Sequence, residues 1–174
     1  MFLTHKAVIY EKANDKGKVQ ARASPLPGKG QVVIEITATA INPVDWKARE
    51  GLFPVPFPII LGSDAAGVVH SVGKGVTRFS EGDRVFFQGI ITNPDASTFQ
   101  QKAVLDEKLI SHTPDNITDD EAAGIQLASM AAVVGLYHET GALALRPLPW
   151  NEGGSKAGQD KAIVILGGSS SVGQ

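Results

Sequence analysis

The chain has 174 residues, 43% of them hydrophobic, with 16 Lys and Arg set against 18 Asp and Glu. A net charge of −2 gives no basic excess, which argues against nucleic acid or an anionic membrane as partner. The absence of cysteine removes disulfides, thiolate zinc sites and cysteine nucleophiles together.

The length suits one domain, or one domain with part of a second. Met1 to Tyr10 lacks the basic segment and long apolar run of a secretory signal, and no apolar stretch approaches a membrane span. A soluble, cytoplasmic protein is therefore the expectation. Residues 5–10 and 31–41 read as strands. In the second of these, Val32, Val33, Ile34, Ile36 and Ile41 are β-branched, and Glu35, Thr37 and Thr39 alternate with apolar neighbours. The cluster Pro25-Leu26-Pro27-Gly28-Lys29-Gly30 marks a turn between them. Further strands are expected over 64–72, 83–91 and 97–105, separated by Gly73-Lys74-Gly75 and Glu81-Gly82-Asp83. Short strands at close spacing, divided by glycine turns, predict a small barrel or sandwich.

The pattern changes at Asn116. Thr118 followed by Glu121 has capping-box spacing, and Asp119 and Asp120 stand where a helix dipole favours negative charge, so a helix is predicted over 119–138. Residues 139–160 read as a linker with Pro147, Pro149, Gly153, Gly154 and Gly158. The continuous apolar run 161–166 fits a strand buried on both faces of a parallel sheet. It leads into Gly167, Gly168, Ser169, Ser170, Ser171, Val172 and Gly173, a glycine-rich turn of the kind that lets a phosphate approach the backbone.

Four segments in order resemble the medium-chain dehydrogenase/reductases. They are Ile41-Asn42-Pro43-Val44-Asp45-Trp46-Lys47 through Gly51; Pro58 through Gly62-Ser63-Asp64-Ala65-Ala66-Gly67-Val68-Val69 to Gly73; Phe79-Ser80-Glu81-Gly82-Asp83-Arg84-Val85; and the terminal glycine turn. The resemblance is nearest to quinone oxidoreductase-like and fungal trans-enoyl reductase-like members and covers nearly the whole chain. It implies a mainly β, GroES-like barrel with short helices over 1–118, the substrate and catalytic domain. Residues 119–174 would then be a connecting helix, a linker and the first strand and turn of an incomplete NADP-binding Rossmann α/β domain.

In zinc-using relatives a cysteine stands at the place of Asn42 and a histidine at the place of Ser63, so the resemblance is to the zinc-independent branch, with no metal. It departs from many relatives at Ala131, where a threonine is usual, and at Ser170, where a glycine is. The implied activity is NADPH-dependent reduction of an enone, enoyl or quinone substrate by the complete protein, with homodimerisation or a polyketide synthase as candidate partnerships. The isolated chain is expected to be inactive; a non-catalytic GroES-like module that assembles with another chain is the competing reading.

Asn42, Asp45 and Lys47 are the candidate catalytic residues. Negative charge developing on a substrate oxygen calls for an amide N–H or an ammonium, which Asn42 or Lys47 would supply while Asp45 fixes Lys47 or the turn. The plainer reading has Asn42-Pro43 starting a short helix that Asp45 caps. Gly167 to Gly173 are the candidate cofactor-binding residues. The four histidines, His5, His70, His112 and His138, show no ligand spacing.

Overall fold

The structure, a computed structural model, describes residues 3–140, 143–156, 159 and 162–173. It divides into two compact units, residues 1–126 and 127–174.

The first unit is the β structure. Strands β1 (Thr4–Tyr10), β2 (Lys18–Ala23) and β4 (Ile59–Ile60) form a three-stranded sheet in the order β2-β1-β4. Strands β3 (Gln31–Ala40), β5 (Asp64–Val72), β6 (Arg84–Gln88), β7 (Lys102–Asp106) and β8 (Ile110–His112) form a second sheet in the order β7-β3-β5-β6-β8. Every pairing is antiparallel. The two sheets are stitched by the irregular strap Ser97–Gln101. Val8 N–H donates to the Phe99 carbonyl and Gln101 N–H to the Lys6 carbonyl, both at 2.9 Å, while Ile36 N–H donates to the Gln101 carbonyl at 2.9 Å. The result is the expected mainly β, curled GroES-like half-barrel.

Period-two alternation explains how the large sheet is covered on both faces. Val32, Ile34, Ala65, Val69, Val85, Phe87, Ala103 and Leu105 face one way and form the main core with Phe79, Ala96 and Ile110. Their neighbours Ala66 and Phe86 face the other way and pack with Ala38 under helix α2 (Asp119–Ala123) through Ala122 and Ala123. Fully burying a Val, Ile or Phe side chain is worth about 1.5–3 kcal/mol, so the β-branched run of β3 is the main stabilising stripe. Gly67, in the middle of β5, has no room for a side chain, since a Cβ there would sit 2.1 Å from the Glu35 carbonyl oxygen.

Helix α2 begins as its sequence predicts. Thr118 Oγ1 accepts from Glu121 N–H at 3.3 Å, and Glu121 Oε2 accepts from Thr118 N–H at 2.8 Å. The Asp119 carboxylate accepts from the Thr37 hydroxyl (2.6 Å) and from Arg84 Nη2 (2.6 Å) and Nε (3.0 Å), fastening α2 to β3 and β6. The Thr37 bond, the largest influence, lowers the Asp119 carboxyl below its usual range; burial opposes it, and the hydrogen bond and charge of Arg84 add to the lowering. Its folded pKa is thus below its unfolded value of 3.8. The stability it contributes is complete above that pH and is lost as the pH falls through the folded value. Asp119→Asn is expected to cost about 1 kcal/mol in urea unfolding at pH 7 and to approach wild type at strongly acid pH.

The structure corrects several boundaries. The predicted helix over 119–138 is two helices, α2 and α3 (Gln126–Tyr137), broken at Gly124, whose weak helix propensity lets the chain turn. The strand expected over 83–91 stops at Gln88: Gly89 N–H still donates to the Ser63 carbonyl at 2.9 Å, in register, but Ile90 N–H then turns to the Ala96 carbonyl at 3.1 Å. Of the strand expected over 97–105, pairing to β3 starts only at Lys102, and the earlier residues are the strap. Strand β2 was not predicted; it is short and has no buried residue.

In the second unit the loop after α3 folds back on the helix end. Leu145 N–H donates to the Leu136 carbonyl (2.9 Å), Arg146 Nη1 donates to the Tyr137 carbonyl (2.6 Å), and Trp150 meets the Tyr137 ring edge-on. The strand predicted over 161–166 does not form. Residue 161 lies outside the described residues, and 162–166 carry no strand pairing and are exposed, Leu166 to 92%. A strand needs a neighbour for its backbone donors and acceptors, and none of the described strands lies in this unit.

Candidate functional site

The site is built where β3 ends, α1 (Pro43–Arg49) begins and the chain turns from β4 into β5. Asn42 is the N-cap of α1, and Pro43, whose fixed φ suits the first helical turn, follows it. Asp45 stands at the third helical position and is 3% exposed. Its Oδ2 accepts from the Asn42 N–H at 2.7 Å and its Oδ1 from the Gly62 N–H at 3.0 Å. One carboxylate thus ties the start of α1 to the Gly62 turn.

Gly62 has φ +94°, in the left-handed region that favours glycine, and a Cβ there would lie 2.3 Å from Thr98 Oγ1 and 2.5 Å from Phe99 Cδ1. The strap holds the same turn from the other side: Thr98 N–H donates to the Gly62 carbonyl (3.1 Å) and Phe99 N–H to the Leu61 carbonyl (2.9 Å). The Thr39 hydroxyl donates to the Asp64 carbonyl at 2.7 Å, so the Thr98 hydroxyl, 2.8 Å away, donates to Thr39.

The Asn42 side chain is oriented by Asp64, the first residue of β5: Nδ2 donates to Oδ2 at 2.9 Å. Asp64 is 1% exposed, whereas Asn42 is half-buried. That bond commits one amide hydrogen of Asn42 and leaves the second uncommitted among the described residues. Lys47 goes elsewhere. Its ammonium lies 5.7 Å from the centre of the exposed Trp46 ring, and Asp45 is spent on backbone amides. The structure therefore brings together Asn42 and Asp45, with Asp64, Gly62, Thr39 and Thr98 around them. Thr39 and Thr98 were not singled out from sequence. The alternation of β3 marks Thr39 as surface-facing, and no local spacing ties it to Thr98.

Burial pushes the Asp45 carboxyl above its usual 3.8, and the two amide bonds oppose this less strongly. Its pH dependence is thus opposite to that of Asp119: the contribution is greatest below pH 3.8 and declines as pH rises through the folded value.

An open, mostly apolar groove of about 560 Å³ starts beside this corner, at Ile41 and Thr39, and runs between β1 and the outer half of β3. The strap residues Thr98 to Gln101 form one of its walls.

The predicted cofactor residues Gly167 to Gly173 form two successive turns. Ser170 N–H donates to the Gly167 carbonyl (2.9 Å) and Gly173 N–H to the Ser170 carbonyl (3.0 Å). These amides are turned inward on the segment itself, and a Cβ on Gly173 would sit 2.3 Å from the Gly167 oxygen. The described residues form no strand or helix there. Among the described residues no three His, Asp or Glu side chains gather in a metal-binding group.

The profile of the alcohol dehydrogenase GroES-like domain matches residues 28–140. The chain is 36% identical to Dehydrogenase orf1 of Aspergillus niger over 98% of its own length and 50% of that protein. It is 35% identical to trans-enoyl reductase tazE of Aspergillus terreus over 99% of its length and 57% of that protein. With the chloroplastic quinone-oxidoreductase QR1 of Triphysaria versicolor, identity is 32% over 86% of the chain and 43% of that protein. The solved structure of an alcohol dehydrogenase superfamily protein from Novosphingobium aromaticivorans superposes with a TM-score of 0.75 at 35% identity, over 78% of this chain and 42% of that one. The chain spans about half the length of the curated relatives it matches. By profile, sequence identity and fold alike, it belongs to the alcohol dehydrogenase GroES-like domain family, within the medium-chain dehydrogenase/reductases.

Proposed function

We propose that this chain is the substrate-side part of an oxidoreductase that reduces an enone, enoyl or quinone substrate with NADPH, without zinc. The observation that carries the reading is the half-buried Asn42 amide, oriented by the buried Asp64 carboxylate and adjoining Ile41 at one end of an apolar groove. The names of its relatives, a trans-enoyl reductase and a quinone-oxidoreductase, support the substrate class.

A bound nicotinamide nucleotide supplies the hydride. When hydride adds to a conjugated carbonyl, charge accumulates on the carbonyl oxygen, and in this reading the uncommitted N–H of Asn42 holds it. Asp64 fixes which way that amide faces, and Asp45 fixes where its backbone sits. Zinc does not fit this corner: Asn42 and Ser63 are not its usual ligands, and the chain has no cysteine. In this reading residues 1–118 are the substrate domain and 119–174 lead into the nucleotide domain. The amides of Ser170 and Gly173 bond within their own segment, so no step is assigned to them.

The test is NADPH consumption by the full-length protein against enone and quinone panels. Asn42→Ala is expected to lower kcat about 100-fold, the usual effect of deleting one oxyanion donor. No consumption by the complete protein rejects the reading. A second reading, a non-catalytic module that docks on another chain, is favoured by the exposure of Ile163, Val164, Ile165 and Leu166. It predicts a stable complex with that chain and no turnover in any form.

A further inference from the structure

His5, on β1, is 4% exposed and far from the site just described in sequence, yet it closes on the strap. Its Nε2 lies 3.1 Å from Gln100 Oε1. The tautomer follows from the other bonds of Gln100. Both amide hydrogens are spent, on the carbonyls of Pro94 (2.8 Å) and Ser97 (2.7 Å), so the oxygen faces His5 and can only accept. The ring therefore carries a proton on Nε2. Gln100 Oε1 also accepts from Arg22 Nη1 at 2.9 Å, and Arg22 in turn reaches the Pro94 carbonyl (2.6 Å) and the Asp95 carboxylate. The other ring nitrogen, Nδ1, is buried and has no hydrogen-bond partner among the described residues.

A proton arriving on Nδ1 would make a buried donor with no acceptor, and a second positive charge beside Arg22. Either change is costly in a desolvated place. The ionisable groups facing the ring are Arg22 on β2, Lys102 on β7 and Asp95 ahead of the strap; the first two resist the added charge and Asp95 favours it. What the ring fastens is specific. Gln100 anchors the strap whose Thr98 and Phe99 hold the Gly62 turn, and whose side chains wall the groove.

We propose that His5 and Gln100 form an acid-sensitive latch: protonation of His5 Nδ1 releases the Ser97–Gln101 strap from β1, loosening the Gly62 turn and opening one wall of the groove. Burial holds the His5 pKa below its usual 6.5; the Gln100 bond, which a charged ring would keep, opposes this, and Arg22 and Lys102 add to the lowering, so the strap opens to solvate the ring and not because that bond is lost. The latch is therefore complete above pH 6.5 and weakens as the pH falls through the folded value.

The test is amide hydrogen exchange with NMR on the 174-residue chain, corrected for intrinsic exchange. Between pH 7 and 5 the amides of Val8, Thr98, Phe99 and Gln101 are expected to lose protection, by up to about tenfold per pH unit, the limit for one proton. The amides of Ile34 and Gly67 should stay protected. His5→Gln keeps a donor for Gln100 but cannot titrate here, and its strap should stay closed over the same range. The latch is overturned if strap and core amides open together, if the strap does not respond, or if His5→Gln opens as wild type does. Should that variant fail to fold, the ring nitrogen signals of the wild-type protein decide. A ring midpoint matching that of the strap amides supports the latch; a ring that titrates while the strap stays protected ends it.

Discussion

Gly62→Ala is expected to destabilise the first unit by about 2–5 kcal/mol, combining the cost of a left-handed backbone with that of overpacking. The added methyl would meet Thr98 Oγ1 at 2.3 Å and Phe99 Cδ1 at 2.5 Å, both on a strap held to two sheets. Relief requires the strap to move, and moving it strains the hydrogen bonds from Thr98 and Phe99. Domains of this size hold only about 5–15 kcal/mol in all, so the variant should unfold at much lower urea concentration, or fail to accumulate. A midpoint within experimental error of wild type would mean that the turn and the strap are not tightly joined. Gly82→Ala is the control, since Gly82 also has positive φ (93°) but open space around its Cβ; it should show the backbone cost alone.

Asp45→Ala is expected to cost about 3–5 kcal/mol at pH 7, because it strips the acceptor from two backbone amides at once and leaves a void. Asp45→Asn should cost less, since its carbonyl oxygen can still serve one of the two. On the proposed reading, the same pair in the full-length protein distinguishes support from chemistry. If Asp45 only places the backbone of Asn42, the asparagine variant keeps most of kcat while Asp45→Ala loses it together with stability. A full loss of kcat with unchanged stability in Asp45→Asn would instead give the carboxylate a direct part in the reaction.

Much of the barrel was legible in the sequence because its strands carry strong two-residue periodicity. β1, β3 and β5 were placed to within about two residues from Val, Ile and Thr alternation. β2 escaped because Lys18, Gln20 and Arg22 leave it with little apolar signal, although Val19, Ala21 and Ala23 do alternate with them. The break at Gly124 was a local signal that the alanine-rich surroundings outweighed. The run at 162–166 shows the reverse error, since β propensity without a pairing neighbour does not make a strand. At the site, Asn42, Asp45 and Lys47 stood out by their spacing within one short segment, but which of them meet depends on partners far along the chain. Thr39 and Thr98 are 59 residues apart, and no pattern within a window of ordinary length connects them.

The bond between His5 and Gln100 spans 95 residues and has a consequence for how the molecule comes into being. On the ribosome, β1 and β2 can form their hairpin before β4 and the strap, their partners here, have been made. The larger sheet must also wait, since β7 follows the strap and β8 follows β7. Closing so long a loop is entropically slow, and structures dominated by distant pairings fold late and cooperatively. The nascent β1–β2 hairpin is therefore exposed until the strap emerges, with the unpaired edges that chaperones recognise.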